Sequence, residues 1–308
     1  MRRLLRSAAV AAAMLIGLSA CTAPDPGTPT PASTPRVSAP ARATPAPTPT
    51  PTPTGPASTV AVVGDSLSRG FNACAHYGDC PSVSWAGGRD PRIGSVATRL
   101  GALLDGPVTV HSFAKSGARV DDLRRQVASA VATDPDLITV LIGANDVCRA
   151  SLDEMTPTAD FSAAITSAMQ QITLYAPDAV VLVASVPEVP ALVAVAGGDP
   201  TARFLWSHAG GCATALADPE SRTFDSTERR RAVSARIAEY DTVLAGACIA
   251  VARCVYDEGA LNGYRFRLTE LSALDRFHPS VTGLRGLAAL EWQALSASTR
   301  SVPLFDRG

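Results

Sequence analysis

Four short polar clusters contain the residues of this chain that are best suited to chemistry. They are Gly64-Asp65-Ser66-Leu67, Ala114-Lys115-Ser116-Gly117, Gly143-Ala144-Asn145-Asp146 and Asp275-Arg276-Phe277-His278. A serine hydroxyl is a weak nucleophile, so Ser66 would need a nearby base to accept its proton. An imidazole such as that of His278 suits this role near neutral pH, and Asp275 stands three residues earlier, where it could orient the ring. The combination predicts nucleophilic catalysis by Ser66.

Two further clusters could stabilise the negative charge that develops when a nucleophile attacks a carbonyl. The backbone N–H groups of Ser66 and Gly117 and the side-chain amide of Asn145 would supply three donors to such an oxyanion. Gly117 suits this role because it has no side chain to block a close approach. Each cluster alone is also typical of a turn or a helix cap. Their order, and their positions after strands or before the last helix, favour catalysis.

The remaining candidates for chemistry lack such neighbours. His76 lies between Cys74 and Cys80, His111 falls in a strand, and His208 is in a Gly-rich stretch, so we interpret all three as structural or peripheral. Lys115 is the only lysine of the chain, and we expect it to be a positioning or solvent residue. The chain has no Cys-x-x-Cys pair of the kind that a zinc site would use.

Alternating strands and helices must position these clusters. Apolar runs at 59–63, 107–113, 137–142 and 179–184, with a weaker one at 249–256, predict five strands buried on both faces, as in a parallel sheet. Helical spacing predicts three helices with apolar faces. The faces consist of Val120, Leu123, Val127 and Val131 in the first, of Phe161, Ile165, Met169 and Ile172 in the second, and of Val233, Ile237, Tyr240 and Leu244 in the third. Asp160 is expected to cap the second helix, and Arg229, Arg230 and Arg236 form the polar side of the third. A final helix is expected from about 281 to 295. The pattern predicts a doubly wound α/β/α sandwich, whose ligands bind beyond the carboxyl ends of the strands.

Composition excludes several classes of protein. The 308 residues are 46% hydrophobic and 18% charged, which is typical of a folded rather than a disordered chain. Residues 58–308 have 22 basic and 27 acidic side chains, a net charge of −5 that disfavours nucleic-acid binding. No apolar run after residue 21 is long enough to cross a bilayer, which excludes a polytopic membrane protein.

The N-terminal part predicts export and tethering. Residues 1–21 combine a positive start, a short apolar stretch and the ending Leu18-Ser19-Ala20-Cys21, which resembles a bacterial lipoprotein signal with Cys21 as the lipidated residue. An ordinary secretory signal with an incidental cysteine is the alternative. Residues 22–57 are rich in Pro and Thr and favour an extended, disordered linker. Residues 58–308 then form one catalytic domain.

The six other cysteines are even in number, as expected in an oxidising compartment. Six cysteines allow 15 pairings. Pairing the closest first leaves one long-range pair, so the hypothesis is 74–80, 148–212 and 248–254, joining Cys74, Cys80, Cys148, Cys212, Cys248 and Cys254.

In these clusters the chain resembles the SGNH (GDSL) hydrolases from residue 58 to about residue 297. The resemblance implies a flavodoxin-like, five-stranded parallel sheet and ester hydrolysis through an acyl-enzyme, without a metal or another cofactor. It implies that Ser66 is the nucleophile, His278 the general base and then acid, and Asp275 its partner. Ser66, Gly117 and Asn145 would form the oxyanion hole.

A finer resemblance points to the secreted phospholipase B-like and actinobacterial esterase branch. It is based on Val83-Ser84-Trp85 with Gly87-Gly88, and on the run from Ile142 to Cys148. We therefore expect a serine esterase or lipase that hydrolyses carboxylic esters, either lysophospholipids or short-to-medium acyl esters. A carbohydrate deacetylase with the same triad and a non-catalytic envelope-binding lipoprotein are the alternatives. We expect a monomer on the outer face of the cell membrane, held by the lipidated N-terminus, or a secreted enzyme.

Overall fold

The computed structural model describes residues 55–209 and 211–305. The predicted signal sequence with Cys21, and residues 22–54 of the predicted linker, lie outside the described residues. The Gly55 N–H donates a hydrogen bond to the Asp105 carbonyl oxygen at 2.7 Å. Ordered structure is therefore present three residues before the predicted domain boundary at residue 58.

Five parallel strands form one sheet in the order β2-β1-β3-β4-β5. Their bounds are Ser58–Gly64 (β1), Val108–Ser112 (β2), Leu137–Leu141 (β3), Val180–Val183 (β4) and Cys254–Tyr256 (β5). In the register, Val60 of β1 stands beside both Val110 of β2 and Leu137 of β3. All five predicted strands are confirmed. The weak fifth is shorter than predicted because the preceding helix continues to Ile249.

Helices cover both faces of this sheet. They are Val96–Leu104 (α1), Val120–Val131 (α2), Ala144–Val147 (α3), Thr158–Tyr175 (α4), Leu192–Ala196 (α5), Pro200–Ala209 (α6), Ala213–Leu216 (α7), Phe224–Ile249 (α8), Ala260–Gly263 (α9), Val281–Ala297 (α10) and Val302–Phe305 (α11). Short 3-10 turns lie at Pro81–Val83, Leu152–Glu154, Val189–Ala191, Leu268–Glu270 and Thr299–Ser301.

The side chains of each strand alternate between two cores. Ala61 and Val63 of β1 pack in the core that contains the apolar faces of α2, α4 and α8. Val60 and Val62 point the other way and pack with residues of α1 and α10. Both faces of the sheet are therefore buried, which explains why the strands are continuous apolar runs. The predicted three-layer α/β/α sandwich is confirmed.

One local prediction needs correction. Asp160 does not cap α4, because that helix begins at Thr158 after Pro157 and Asp160 lies exposed within its first turn. Pro157 supplies a fixed φ at the start of the helix. The Asp160 carboxylate can stabilise the helix only through its charge interaction with the positive end of the helix dipole. His208, at the start of a Gly-rich stretch of the sequence, lies in the last turn of α6.

Three disulfides join Cys74 to Cys80, Cys148 to Cys212 and Cys248 to Cys254, the pairing that the sequence predicts. Disulfides of this number are consistent with export to an oxidising compartment. In the described part of the chain, no helix is both long enough and apolar enough to cross a membrane.

Candidate active site

The first and last polar clusters meet beyond the carboxyl end of β1. The Oγ of Ser66 lies 2.9 Å from Nε2 of His278, although 212 positions separate the two residues. Nδ1 of the same ring lies 2.6 Å from Oδ2 of Asp275. A hydroxyl, an imidazole and a carboxylate thus form one continuous hydrogen-bonded chain, in which a proton can pass from the hydroxyl to a ring whose other nitrogen is held.

Gly64 and Gln126 set the turn that presents Ser66. Gly64 has a φ of 137°, and a Cβ there would approach the Leu141 carbonyl oxygen to 2.2 Å, so only glycine fits. The buried side chain of Gln126, on α2, accepts from the Gly64 N–H at 2.6 Å and donates to the Gly64 carbonyl oxygen at 2.9 Å. Sequence reasoning missed Gln126, which has no local pattern connecting it to residue 64.

Four donors surround the carboxylate of Asp275. Its Oδ1 accepts from the backbone N–H groups of Phe277 and His278 at 2.9 and 3.0 Å. Its Oδ2 accepts from Asn72 Nδ2 at 2.7 Å as well as from the His278 ring. Burial alone would raise the pKa of Asp275, but the hydrogen bonds and the charge interaction with His278 outweigh burial and lower it. The carboxylate therefore stays ionised beside the imidazole.

The predicted oxyanion-hole residues line the same cleft as Ser66 and His278. Among the described residues, neither the Ser66 N–H nor the Gly117 N–H has a hydrogen-bond partner. Nδ2 of Asn145, on α3, donates to the Ala118 carbonyl oxygen at 3.0 Å, which leaves its second hydrogen for another acceptor. Gly117 has a φ of 80°, and apart from its own and its neighbours' atoms, no atom of the described residues lies within 4 Å of a Cβ built there. The backbone conformation, rather than packing, requires glycine.

Two pockets adjoin the Ser66–His278 pair, and Phe277 contributes to both. The narrow pocket has a volume of about 50 Å³ and is lined mainly by apolar side chains, among them Leu67, Val189, Leu192, Val195 and Phe266. The wide cleft has a volume of about 440 Å³ and includes Phe71, Tyr77, Leu205, Trp206 and Leu216. The site can therefore hold two groups of different size on either side of the Ser66 hydroxyl.

Two buried carboxyls, those of Asp65 and Asp146, lie next to Ser66 and Asn145 in the sequence. Burial raises the pKa of Asp65 to about 7; the Leu67 N–H opposes this shift and the charge of Asp146 adds to it. Burial likewise raises the pKa of Asp146 to about 6, although Thr156 and the Val120 N–H donate hydrogen bonds to it. Asp65 accepts a hydrogen bond from the Leu67 N–H and Asp146 accepts one from the Val120 N–H, so both carboxyls support the site by holding the backbone next to it.

Replacing Asp65 with Asn should make the protein relatively more stable as the pH rises. An aspartate in the unfolded chain releases its proton near pH 4, whereas Asp65 in the folded state keeps its proton up to about pH 7. Below the lower value the ionisation of Asp65 does not contribute to stability, and above the higher value the destabilisation that results from its ionisation is complete. We expect the free energy of unfolding of Asp65→Asn, relative to the native protein, to increase by roughly 2–4 kcal/mol across this window.

Urea unfolding at about pH 5 and about pH 8 measures this difference. The exposed Asp153→Asn serves as the matched control and should show no such trend. A difference between Asp65→Asn and the native protein that stays constant with pH would contradict the buried, protonated state of Asp65.

The family of the chain follows from a family model that covers most of this architecture. The model of the GDSL-like lipase/acylhydrolase family matches residues 62–285. The chain belongs to this family. The GDSL-like protein is therefore a serine hydrolase that acts on ester bonds. No group of three or more His, Cys, Asp or Glu side chains in its described part could hold a metal ion.

Solved structures similar to the GDSL-like protein include three whose names state an activity. A lipase/acylhydrolase from Enterococcus faecalis is 20% identical with a TM-score of 0.48, covering 78% of this chain and 96% of its own. An extracellular lipase from Streptomyces rimosus is 18% identical with a TM-score of 0.46, and the match covers 77% of this chain and 99% of the lipase. A phospholipase A1 from Streptomyces albidoflavus is 18% identical with a TM-score of 0.46, and the match covers 78% of this chain and 98% of the phospholipase. None of the curated proteins compared with the chain matches it. The resemblance to the phospholipase B-like branch stays a prediction.

Proposed function

We propose that the GDSL-like protein hydrolyses uncharged carboxylic esters with short-to-medium acyl groups, through an acyl-enzyme on Ser66. The observation that carries this proposal is the chain Ser66–His278–Asp275, with distances of 2.9 and 2.6 Å. A hydroxyl that shares its proton with an oriented imidazole is an activated nucleophile.

Each step of the proposed reaction uses a group of this site. His278 Nε2 takes the proton of Ser66 as Oγ bonds to the carbonyl carbon, and the negative carbonyl oxygen accepts from Ser66 N, Gly117 N and Asn145 Nδ2. Asp275 stabilises the imidazolium that forms. The bond to the alcohol breaks as Nε2 returns its proton to the leaving oxygen. Water then repeats the sequence on the acyl-enzyme, which releases the acid and restores Ser66.

We place the acyl group in the narrow pocket and the alcohol in the wide cleft. The acyl group stays bonded to Ser66 while the alcohol leaves and water enters, so the wider opening suits the exchanging group. The narrow pocket begins at Leu67 and Ala144, next to the nucleophile, and its apolar lining suits a hydrocarbon chain. Its volume of about 50 Å³ favours short chains over long ones.

The lining of the wide cleft favours uncharged alcohols over lysophospholipids. Apart from Asp275 and His278, the described residues that line it are uncharged, with the aromatic rings of Phe71, Tyr77, Trp206 and Phe277. A phosphate group would need arginine or lysine donors to replace its water. We further propose that the enzyme works at the cell envelope, held by a lipid on Cys21 and the Pro/Thr-rich linker.

A panel of esters tests this proposal. Rates with p-nitrophenyl esters from acetate to palmitate should be highest at the short end and exceed those with lysophosphatidylcholine. Val195→Phe should narrow the acyl preference further towards acetate, because Val195 lines the narrow pocket. A preference for palmitate or for the lysophospholipid would contradict the proposal. Turnover of sugar acetates alone would favour a carbohydrate deacetylase, and no turnover of any ester would favour a binding protein.

A further inference from the structure

Asn72 contacts the proposed triad although no motif connects it to catalysis. The residue is 4% exposed. Its Nδ2 donates to Oδ2 of Asp275 at 2.7 Å, and this is the same oxygen that lies 2.6 Å from Nδ1 of His278. The amide and the imidazole therefore share one carboxylate oxygen, and 203 positions separate Asn72 from Asp275.

The amide of Asn72 is itself held in place from both ends. Its Oδ1 accepts from the Gly78 N–H at 2.8 Å, and since an amide's oxygen and nitrogen are fixed in one plane, this contact orients Nδ2 towards Asp275. The Asn72 N–H donates to the Gly78 carbonyl oxygen at 2.8 Å. The disulfide between Cys74 and Cys80 closes the loop that contains Gly78.

The backbone of Asn72 also contacts the loop that carries Asp275. The carbonyl oxygen of Asn72 accepts a hydrogen bond from the buried hydroxyl of Ser272. The preceding residue, Phe71, places its ring 4.9 Å from the His278 ring. Asn72 has a φ of 56°, a left-handed conformation that asparagine tolerates better than most residues. Phe71 and Asn72, which closely precede the disulfide-closed loop, thus contact both the base and the acid of the proposed triad.

We propose that Asn72 is a positioning residue of the hydrolase, which fixes Oδ2 of Asp275 so that Asp275 holds His278 in line with Ser66. This inference depends on the proposed function, since it assigns a role within the same site. With Asn72 in place, the Asp275 carboxylate accepts two donors on each oxygen, so it can neither rotate nor shift without losing a charged hydrogen bond. The orientation of the imidazole follows from that of the carboxylate.

The amide also favours the ionised carboxylate. Burial would raise the pKa of Asp275, and the Asn72 hydrogen bond is among the contacts that lower it. A donor at this point therefore keeps the Asp275 charge available to the imidazolium that forms in each step. A carboxyl group in place of the amide would donate only when protonated.

Two substitutions of Asn72 separate this role from a purely structural one. Asn72→Gly keeps the left-handed backbone and removes the amide, and we expect kcat to fall about ten- to a hundredfold with little change in KM. Asn72→Asp should lose activity at high pH, where the introduced carboxylate repels Asp275. As the pH falls, the introduced carboxyl takes up a proton and can donate it to Oδ2, so the ratio of variant to native kcat/KM should rise.

The matched control is Asp134→Gly. Asp134 has a similar left-handed φ of 49° and is exposed near the amino end of β3, away from the site. It should keep native kcat. Active-site titration with a fluorophosphonate corrects every rate for the fraction of folded enzyme.

A native kcat in Asn72→Gly, or a pH-independent rate ratio for Asn72→Asp, would overturn the assignment of Asn72. Failure of the proposed function looks different, because the native protein itself would then neither hydrolyse esters nor react with the fluorophosphonate.

Discussion

Replacing Ser66 with Ala is expected to lower kcat by about three to six orders of magnitude. The substitution removes the only atom that bonds to substrate in the proposed mechanism, and the residual rate would come from binding and oxyanion stabilisation alone. Ser66 is small and lies in a turn held by Gln126 and Asp65, so the fold should persist. Steady-state rates with p-nitrophenyl acetate measure the loss, and circular dichroism verifies the fold.

Ser68→Ala is the matched control for this substitution. Ser68 is a buried serine two residues away, and its hydroxyl has no hydrogen-bond partner among the described residues. That variant should keep its activity and its labelling by a fluorophosphonate, whereas Ser66→Ala should lose both. Near-native esterase activity in Ser66→Ala would refute the assignment of the nucleophile.

Replacing Asn145 with Ala is expected to lower kcat by about two to three orders of magnitude, with a small effect on KM. The amide of Asn145 is held by the Ala118 carbonyl oxygen before substrate arrives, so its second hydrogen is already oriented. A donor of this kind acts mainly on the charge that develops in the transition state, which is why the loss should appear in kcat. Saturation kinetics with one short-chain ester separate the two parameters.

Asn262→Ala is the matched control for Asn145→Ala. Asn262 Nδ2 also donates to a backbone carbonyl oxygen at 3.0 Å, that of Val186. Each substitution therefore removes one hydrogen bond of equal length from a side-chain amide to a backbone carbonyl oxygen. Asn262→Ala should therefore report only the structural cost. If Asn145→Ala raised KM and left kcat unchanged, the amide would contribute to substrate binding and not to the oxyanion hole.

The fold could be predicted because each of its strands and its main helices has a pattern within a short stretch of sequence. The run 137–142 is apolar at every position, and β3 is indeed buried on both faces. The stripe of Val233, Ile237, Tyr240 and Leu244 is buried along α8. Helix ends were less predictable, as Asp160 shows, because several nearby residues can begin a helix and packing selects among them.

The positions of the proposed catalytic residues could also be predicted, and for a related reason. Ser66, Gly117 and Asn145 each follow a strand of a parallel sheet, and the carboxyl ends of parallel strands meet at one edge. The positions of these residues directly after their strands therefore predict that they lie near one another. Asn72 and Gln126 were missed because their partners, Asp275 and Gly64, are far away in the sequence. No sequence pattern near Asn72 or Gln126 indicates these contacts.

The amino-acid sequence by itself determined the α/β class, the five strands and the set of polar residues at their carboxyl ends, since these depend on short-range periodicity and on chain order. Only the tertiary structure decided the 2.9 Å approach of Ser66 to His278, the support of Asp275 by Asn72 and the unequal sizes of the two pockets. These features join segments that are far apart in the chain. Their geometry depends on packing, which no local pattern encodes.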